Sequence, residues 1–180
     1  MKTTTITISR NDTSVRITII NSVPVIEVTL PARRTLIEPL LRGLSVLVGL
    51  HRDYLLFATS EQKHSLKAQL TILFKHQIEK YKNNISSWYF SFRYDKEAKW
   101  LSIRFNIKKG NEAVFTRIMD VLSRALRVRL PRTFKEVEWF RLDQWLREND
   151  VRRIKRLEAI AEDEETAVEM AKSFLEFGPE

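Results

Sequence analysis

The stretch that decides the fold is TTTITISRNDTSVRITIINSVPVIEVTL, residues 3–30. Its apolar residues alternate with Thr, Arg and Glu at a period of two, and the segments NDT (11–13) and NSVP (21–24) interrupt the alternation. Successive side chains of a strand point to opposite faces, so the alternation is typical of strands with one buried and one solvated face. Asn, Asp and Ser favour turns. Residues 3–30 therefore predict a three-stranded antiparallel meander.

A second alternating stretch is SSWYFSFRYDKEAKWLSIRFNIKKG, residues 86–110, with the charged segment DKEAK between its two runs. The apolar residues of each run share one parity and most polar residues share the other, which predicts a hairpin with an apolar face and a polar face. We expect Phe90, Phe92 and Phe105 to belong to the core. The polar parity carries Tyr89, Arg93, Trp100, Arg104, Asn106 and Lys108.

The remaining chain is dominated by segments whose apolar residues recur at spacings of three and four, which predicts amphipathic helices. We expect helices over about 35–49 and 61–82, one that starts near Asn111 and ends before Pro131, and more helices after residue 133. Residues 54–59 lack alternation and fit either a buried strand or the continuation of a helix.

Three helix starts are indicated by capping residues. Thr35 with Glu38, and Thr133 with Glu136, have the spacing of a capping box. Ser60 is a candidate N-cap for the helix over 61–82.

These elements together predict an α+β fold. A mostly antiparallel sheet, formed by the N-terminal meander and the central hairpin, packs on amphipathic helices. Pro131 interrupts the helical pattern, so we expect an α+β core domain over residues 1–132 and a helical C-terminal extension over residues 133–180.

The net charge of +8 is unevenly distributed along the chain. Residues 1–150 contain 26 Lys/Arg and 15 Asp/Glu, a net charge of +11, whereas residues 151–180 contain 5 and 8, a net charge of −3. A basic body with an acidic tail suits an anionic partner such as nucleic acid. The alternative is that the charge serves solubility alone.

The polar face of the hairpin has the composition of a nucleic-acid-binding sheet. Cations attract phosphates, and exposed rings stack on unpaired bases. We predict a nucleic-acid site, with single strands favoured, at Tyr89, Arg93, Trp100, Arg104 and Lys108. The alternative is an ordinary solvated face. A second candidate is the nearly uncompensated segment RRIKR, which contains Arg152, Arg153, Lys155 and Arg156.

The segment EVEWFRLDQWL, residues 136–146, spreads apolar residues widely around a predicted helix. A place in the core is the default interpretation. Trp is enriched in interface hot spots, so the alternative is a protein interface that includes Trp139, Trp145 and, in the acidic tail, Phe174.

Signatures of catalysis are missing from the sequence. The chain has no cysteine, its three His lack metalloprotease spacing, and it has no glycine-rich phosphate loop. Glu97 and Lys99 have the spacing found in metal-dependent nucleases, but they fall at the predicted hairpin tip rather than on a strand. We therefore expect no catalytic residue, no metal and no cofactor.

The N-terminus MKTTTITISRND has no apolar signal core, and the run TLIEPLLRGLSVLVGL, residues 35–50, is too short and too interrupted to span a bilayer. We expect a cytoplasmic protein without a membrane partner. The leading hypothesis is a non-catalytic nucleic-acid-binding protein, an accessory subunit of a nucleoprotein complex. The second is a protein–protein adaptor that docks a partner through its C-terminal helices, and the third is a nuclease.

Overall fold

The computed structural model describes residues 2–51 and 65–149, so residues 54–59 and the C-terminal segment from residue 150 lie outside the described residues. The described ranges contain five strands and four helices. The strands are β1 (Thr3–Arg10), β2 (Thr13–Ile20), β3 (Val23–Pro31), β4 (Trp88–Asp95) and β5 (Trp100–Ile107). The helices are α1 (Arg34–Leu47), α2 (Leu66–Lys82), α3 (Glu112–Leu126) and α4 (Phe134–Glu148).

The five described strands form one antiparallel sheet in the order β1-β2-β3-β5-β4. The predicted meander and the predicted hairpin are both confirmed. They join because β5, the second strand of the hairpin, pairs antiparallel with β3. Beyond the paired ends, the N–H of Ala32 donates to the carbonyl of Lys99 at 2.7 Å. The sheet and the helices together confirm the predicted α+β class.

Two-residue turns set the register of the meander. Asn11–Asp12 and Asn21–Ser22 connect the strands, and their φ angles lie between 49° and 66°. Type I′ turns require positive φ at both central residues, and their twist matches that of the paired strands. Asn and Asp adopt this conformation more readily than most residues with a side chain. The turn residues therefore help to assign each strand residue to its face.

The face of the sheet toward α1, α2 and α3 is the core of the first compact unit, Met1–Arg132. One row of paired residues crosses all five strands, and its side chains are at most 2% exposed. The row is Ile6, Ile17, Ile26, Phe105 and Phe90. Phe90 and Phe105 are 0% exposed, which confirms that both are structural. Phe92 is half-buried and packs edge-to-face on Phe74, with ring centroids 6.5 Å apart.

Helices α1, α2 and α3 contribute their apolar sides to this core, with α1 against α3 and α2 against β4. Gly43 permits the close approach of α1 and α3, because a Cβ there would lie 2.8 Å from Cγ1 of Val121. Gln77 is 1% exposed and connects α2 to β4 by hydrogen bonds. Its Nε2 donates to Oγ of Ser86 at 2.8 Å and to the carbonyl of Trp88 at 2.9 Å.

The predicted start of α1 is wrong. The helix begins at Arg34, its N-cap is Arg33, and no side chain caps it, so Thr35 does not form the expected capping box. Glu38 instead accepts a hydrogen bond from Nε of Arg34 at 2.7 Å. The helix begins earlier because two backbone N–H groups of its first turn donate to the carbonyl of Arg33.

The described N-cap of α2 is Ser65, whereas the predicted N-cap, Ser60, lies outside the described residues; the predicted N-cap of α4 is confirmed. Oγ of Ser65 lies at the start of α2 and accepts the N–H of Ala68 at 3.2 Å. Serine is a good N-cap at either position, so the residue type alone does not separate them. At α4, Oγ1 of Thr133 accepts the N–H of Glu136 at 3.1 Å.

The chain divides into two compact units, Met1–Arg132 and Thr133–Glu180. The first contains the sheet with α1, α2 and α3, and the described part of the second is α4. Among the described helices, none combines the length and apolar composition needed to cross a membrane.

Candidate nucleic-acid interface

The face of the sheet opposite α1, α2 and α3, the open face, is polar. Every side chain in its three full rows is exposed or half-buried. The rows are Thr5–Thr18–Val25–Asn106–Tyr89, Thr7–Arg16–Glu27–Arg104–Ser91 and Ser9–Ser14–Thr29–Ser102–Arg93. From ordinary strand spacings, these rows cover about 19 Å across the strands and about 14 Å along them.

The open face carries mainly hydroxyl groups and a small excess of positive charge. Eight of the fifteen side chains in the three rows are Ser or Thr. The charged residues are Arg16, Arg93, Arg104 and Glu27, a net charge of +2. Such a surface offers neutral hydrogen-bonding groups around a few cations.

The second of the three rows contains two arginines, and only one of them forms an ion pair with a carboxylate of the described residues. Nη2 of Arg16 lies 2.5 Å from Oε2 of Glu27. Arg104 lies directly opposite Glu27 on its other side, but no hydrogen bond or ion pair joins Arg104 to any residue within 2–51 or 65–149. The same holds for Arg93 in the next row. The positive charge of these two groups is therefore unneutralised by direct contact with the described residues.

Three predicted site residues come together at one end of the open face, and we call this group the hairpin corner: Arg93, Trp100 and Arg104. Arg93 pairs with Ser102 across the hairpin, so Trp100 and Arg104, two residues to either side of Ser102, are its diagonal neighbours. Diagonal neighbours on one face lie about 7–8 Å apart, within reach of long side chains. Trp100 is 40% exposed, so its ring is accessible next to Arg93, which lies between Trp100 and Arg104; these last two are about 14 Å apart along β5.

The other two predicted hairpin residues, Tyr89 and Lys108, lie toward the opposite end of the hairpin and have partners. The ring centroid of Tyr89 lies 4.7 Å from that of Tyr81 on α2. Nζ of Lys108 lies 4.7 Å from the centroid of the same Tyr81 ring, a cation–π contact. Tyr89 is about 14 Å from Arg93 along β4. The structure thus separates the predicted hairpin site into two clusters.

The hairpin tip holds the Glu97–Lys99 pair outside both strands. Oδ1 of Asp95 accepts the N–H groups of Glu97 and Ala98 at 3.1 and 3.0 Å, which closes the turn. Across the described ranges, His, Asp and Glu side chains do not gather in groups of three or more that could hold a metal ion.

The predicted partner-binding residues fall on and beyond α4. Trp139 is 49% exposed, and Trp145 is half-buried. Phe174 and the predicted basic site at Arg152, Arg153, Lys155 and Arg156 lie outside the described residues.

Sequence reasoning missed the ion pair of Arg16 and Glu27 on the open face. Both residues have the polar parity of the meander, and two-residue turns at Asn11 and Asn21 set a register that places them side by side. The ion pair can therefore be predicted from the sequence when the length of the turns is combined with the alternation of the strands.

The charge asymmetry is larger between the two compact units than between residues 1–150 and 151–180. Residues 1–132 contain 23 Lys/Arg and 10 Asp/Glu, a net charge of +13, whereas residues 133–180 contain 8 and 13, a net charge of −5. The open face therefore belongs to a strongly basic unit.

Comparison with known protein families, curated proteins and solved structures finds no match to this chain. Its function has to be argued from its own surface.

Proposed function

We propose that this protein binds single-stranded nucleic acid without catalysing a reaction on it, as an accessory subunit of a nucleoprotein complex. The hairpin corner is the proposed contact site. One observation carries the proposal: an exposed indole, Trp100, and Arg104 flank Arg93 as its two diagonal neighbours, and neither arginine has an acceptor among the described residues.

The chemistry of the hairpin corner suits a nucleotide and its phosphate. Guanidinium groups bind phosphate oxygens as bidentate donors. An indole ring stacks on an unpaired base, a contact of about 1–3 kcal/mol. The ring of Trp100 would contact the base, and Arg93 and Arg104 would contact the adjoining phosphates. Base faces are stacked inside a duplex, so this arrangement favours a single strand.

The surroundings of the hairpin corner support the same partner. The Ser and Thr side chains of the open face can donate to sugar and phosphate oxygens without reading sequence. The net charge of +13 on residues 1–132 attracts a polyanion over distances of about a Debye length. Together these features favour binding to the nucleic-acid backbone with little sequence preference.

The test is a fluorescence-anisotropy titration of a labelled single-stranded oligonucleotide over a series of salt concentrations. Replacing Arg93 and Arg104 together by Ala should weaken binding. It should also lower the slope of log affinity against log salt by about 1.4, because each phosphate contact to a single strand contributes about 0.7. Trp100→Ala should weaken binding by about five- to 150-fold through lost stacking and leave the salt slope unchanged.

A charge-matched control is available on α2. Lys67 and Lys75 are exposed, and their side chains form no hydrogen bond or ion pair with the described residues. Replacing both by Ala removes the same charge as the hairpin-corner variant and should weaken binding less. Equal losses in the two double variants, or wild-type affinity in the hairpin-corner variant, would show that the hairpin corner is not the site.

The second candidate function is a protein adaptor, and the exposure of Trp139 on α4 favours it. In that case the basic charge is incidental, and the affinity of the protein for a polyanion should depend only weakly on the salt concentration. Retention of the protein on a polyanion matrix over a salt series separates the two functions, because only counterion release produces a steep slope.

A further inference from the structure

A pocket of about 560 Å³ lies between the turn that joins β1 to β2, the first turns of α1 and the last turn of α3. Arg10, which lines it, has the parity of Ile6 and Ile8 on β1, so it belongs to the helix-covered side of the sheet. The pocket is therefore separate from the open face and from the proposed nucleic-acid site.

The pocket is lined by three arginines, Arg10, Arg42 and Arg127, and by one acid, Glu38, a net charge of +2. Nη1 of Arg10 donates to the carbonyl of Arg127 at 2.9 Å. A guanidinium has five N–H donors, so this single bond leaves most of the donors of Arg10 available. The side chains of Arg42 and Arg127 have no hydrogen bond to any residue in the described part of the chain.

The one carboxylate in the lining is already engaged. Glu38 Oε1 accepts from Nε of Arg34 at 2.7 Å, and this hydrogen bond together with the charge of Glu38 raises the pKa of Arg34 above its ordinary value. Arg34 thus offsets the negative charge of Glu38, and the three lining arginines remain in excess.

Arg127 occupies a backbone position that normally favours glycine. It is the C-cap of α3, with φ 52° and ψ 46° in the left-handed region. A residue with a Cβ is less stable than glycine in this conformation. The side chain of Arg127 therefore contributes little to stability through its backbone conformation, and it can be replaced by glycine to test its part in binding.

The pocket also has an apolar wall, formed by Leu36, Pro39, Ala125 and Leu126. Its volume falls within the range of small-molecule sites, about 300–1,000 Å³. The pocket can therefore hold an anionic group together with an organic part of moderate size.

We propose that this pocket binds a phosphate monoester, with Arg10, Arg42 and Arg127 contacting the phosphate oxygens and the apolar wall contacting the organic part. Three terminal oxygens and two negative charges suit a lining with three arginines, whereas a carboxylate has two oxygens and one charge. The phosphate belongs either to a free phosphorylated molecule or to the phosphorylated end of a nucleic acid. The proposal stands independently of the hairpin corner.

The first test is calorimetric titration of the full chain with inorganic phosphate and with a nucleoside monophosphate. Binding should be tighter above about pH 6 than below it, because the second ionisation of a phosphate monoester occurs near that pH. Arg42→Gln should weaken binding by about tenfold or more, as the loss of a charge-assisted hydrogen bond does.

Arg127→Gly separates a binding role from a structural one. It should weaken phosphate binding to a similar extent while the melting temperature stays the same or rises, because glycine suits the left-handed backbone. Arg129→Gln is the control, since Arg129 is exposed, lies outside the pocket lining and is two residues from Arg127. It should bind phosphate like the wild type.

Three results would overturn the proposal: no heat of binding with either ligand, wild-type affinity in both pocket variants, or an equal loss in Arg129→Gln. The source of the phosphate is decided by comparing oligonucleotides with and without a 5′-phosphate. A preference for the phosphorylated oligonucleotide that disappears in Arg42→Gln assigns the pocket to a nucleic-acid end. Binding of the nucleoside monophosphate without that preference assigns it to a free molecule.

Discussion

The two faces of the sheet are built from the same strands and differ in burial, polarity and charge. Phe105 is 0% exposed on the core face, whereas Arg104, the preceding residue, is exposed on the open face without a partner among the described residues. Adjacent residues of a strand point to opposite sides. Stability and the proposed binding are therefore separable by substitutions one residue apart.

The largest expected effect is on the core face. Phe105→Ala should lower the free energy of unfolding by about 3–5 kcal/mol, because it removes a fully buried ring and leaves a cavity. The matched change on the open face, Arg104→Ala, should alter it by about 0.5 kcal/mol or less. Urea denaturation followed by circular dichroism measures both. Similar midpoints for the two variants would mean that the faces do not differ in burial.

A smaller effect is expected at the edge of the core face, where α2 meets β4. Gln77→Leu removes the two hydrogen bonds that Nε2 donates to Ser86 and Trp88, and the carbonyl of Trp88 keeps only the donor Oγ of Ser86 at 3.2 Å. At about 0.5–1.5 kcal/mol for each lost bond, the protein should be destabilised by about 1–3 kcal/mol. Lys75→Gln, on the exposed side of the same helix, should have little effect in the same denaturation experiment. Wild-type stability in Gln77→Leu would contradict the role of Gln77 as the polar tie between helix and strand.

The smallest effect concerns the open face itself. Glu27→Gln removes the one carboxylate in its three rows and frees Arg16, so single-stranded nucleic acid should bind a few-fold more tightly at low salt. Stability should change by about 1 kcal/mol or less, because the pair is partly exposed. Glu79→Gln on α2 is the control for a change of charge away from the face. Unchanged affinity in Glu27→Gln would place the binding surface elsewhere.

The residues of the hairpin show how far the sequence predicts the site. Alternation assigned Arg93, Trp100 and Arg104 to one face, and strand pairing puts them together at the hairpin corner. Tyr89 has the same parity, yet its ring packs on Tyr81 of α2. The alternation of polar and apolar residues in a strand gives no information about where a helix packs beside the edge of the sheet.

The pocket proposed to bind phosphate was not predictable from local patterns in the sequence. Arg10, Arg42 and Arg127 come from a strand, a helix and a helix end far apart in the chain. They line one pocket because Gly43 allows α1 to approach α3 and because Nη1 of Arg10 donates to the carbonyl of Arg127. Such contacts depend on packing between elements, which the period of a single element does not record.

The sequence by itself determined the strands, the helical segments and the division of the sheet into an apolar and a polar face. Period-two and helical spacings, together with turn residues such as Asn11 and Asn21, are local properties that each segment carries alone. The tertiary structure alone decided the β3–β5 pairing, the first residues of α1 and α2, and which cations remain without a carboxylate among the described residues. These features depend on which distant backbone and side-chain groups meet, and only packing of the whole unit brings those groups within hydrogen-bond distance.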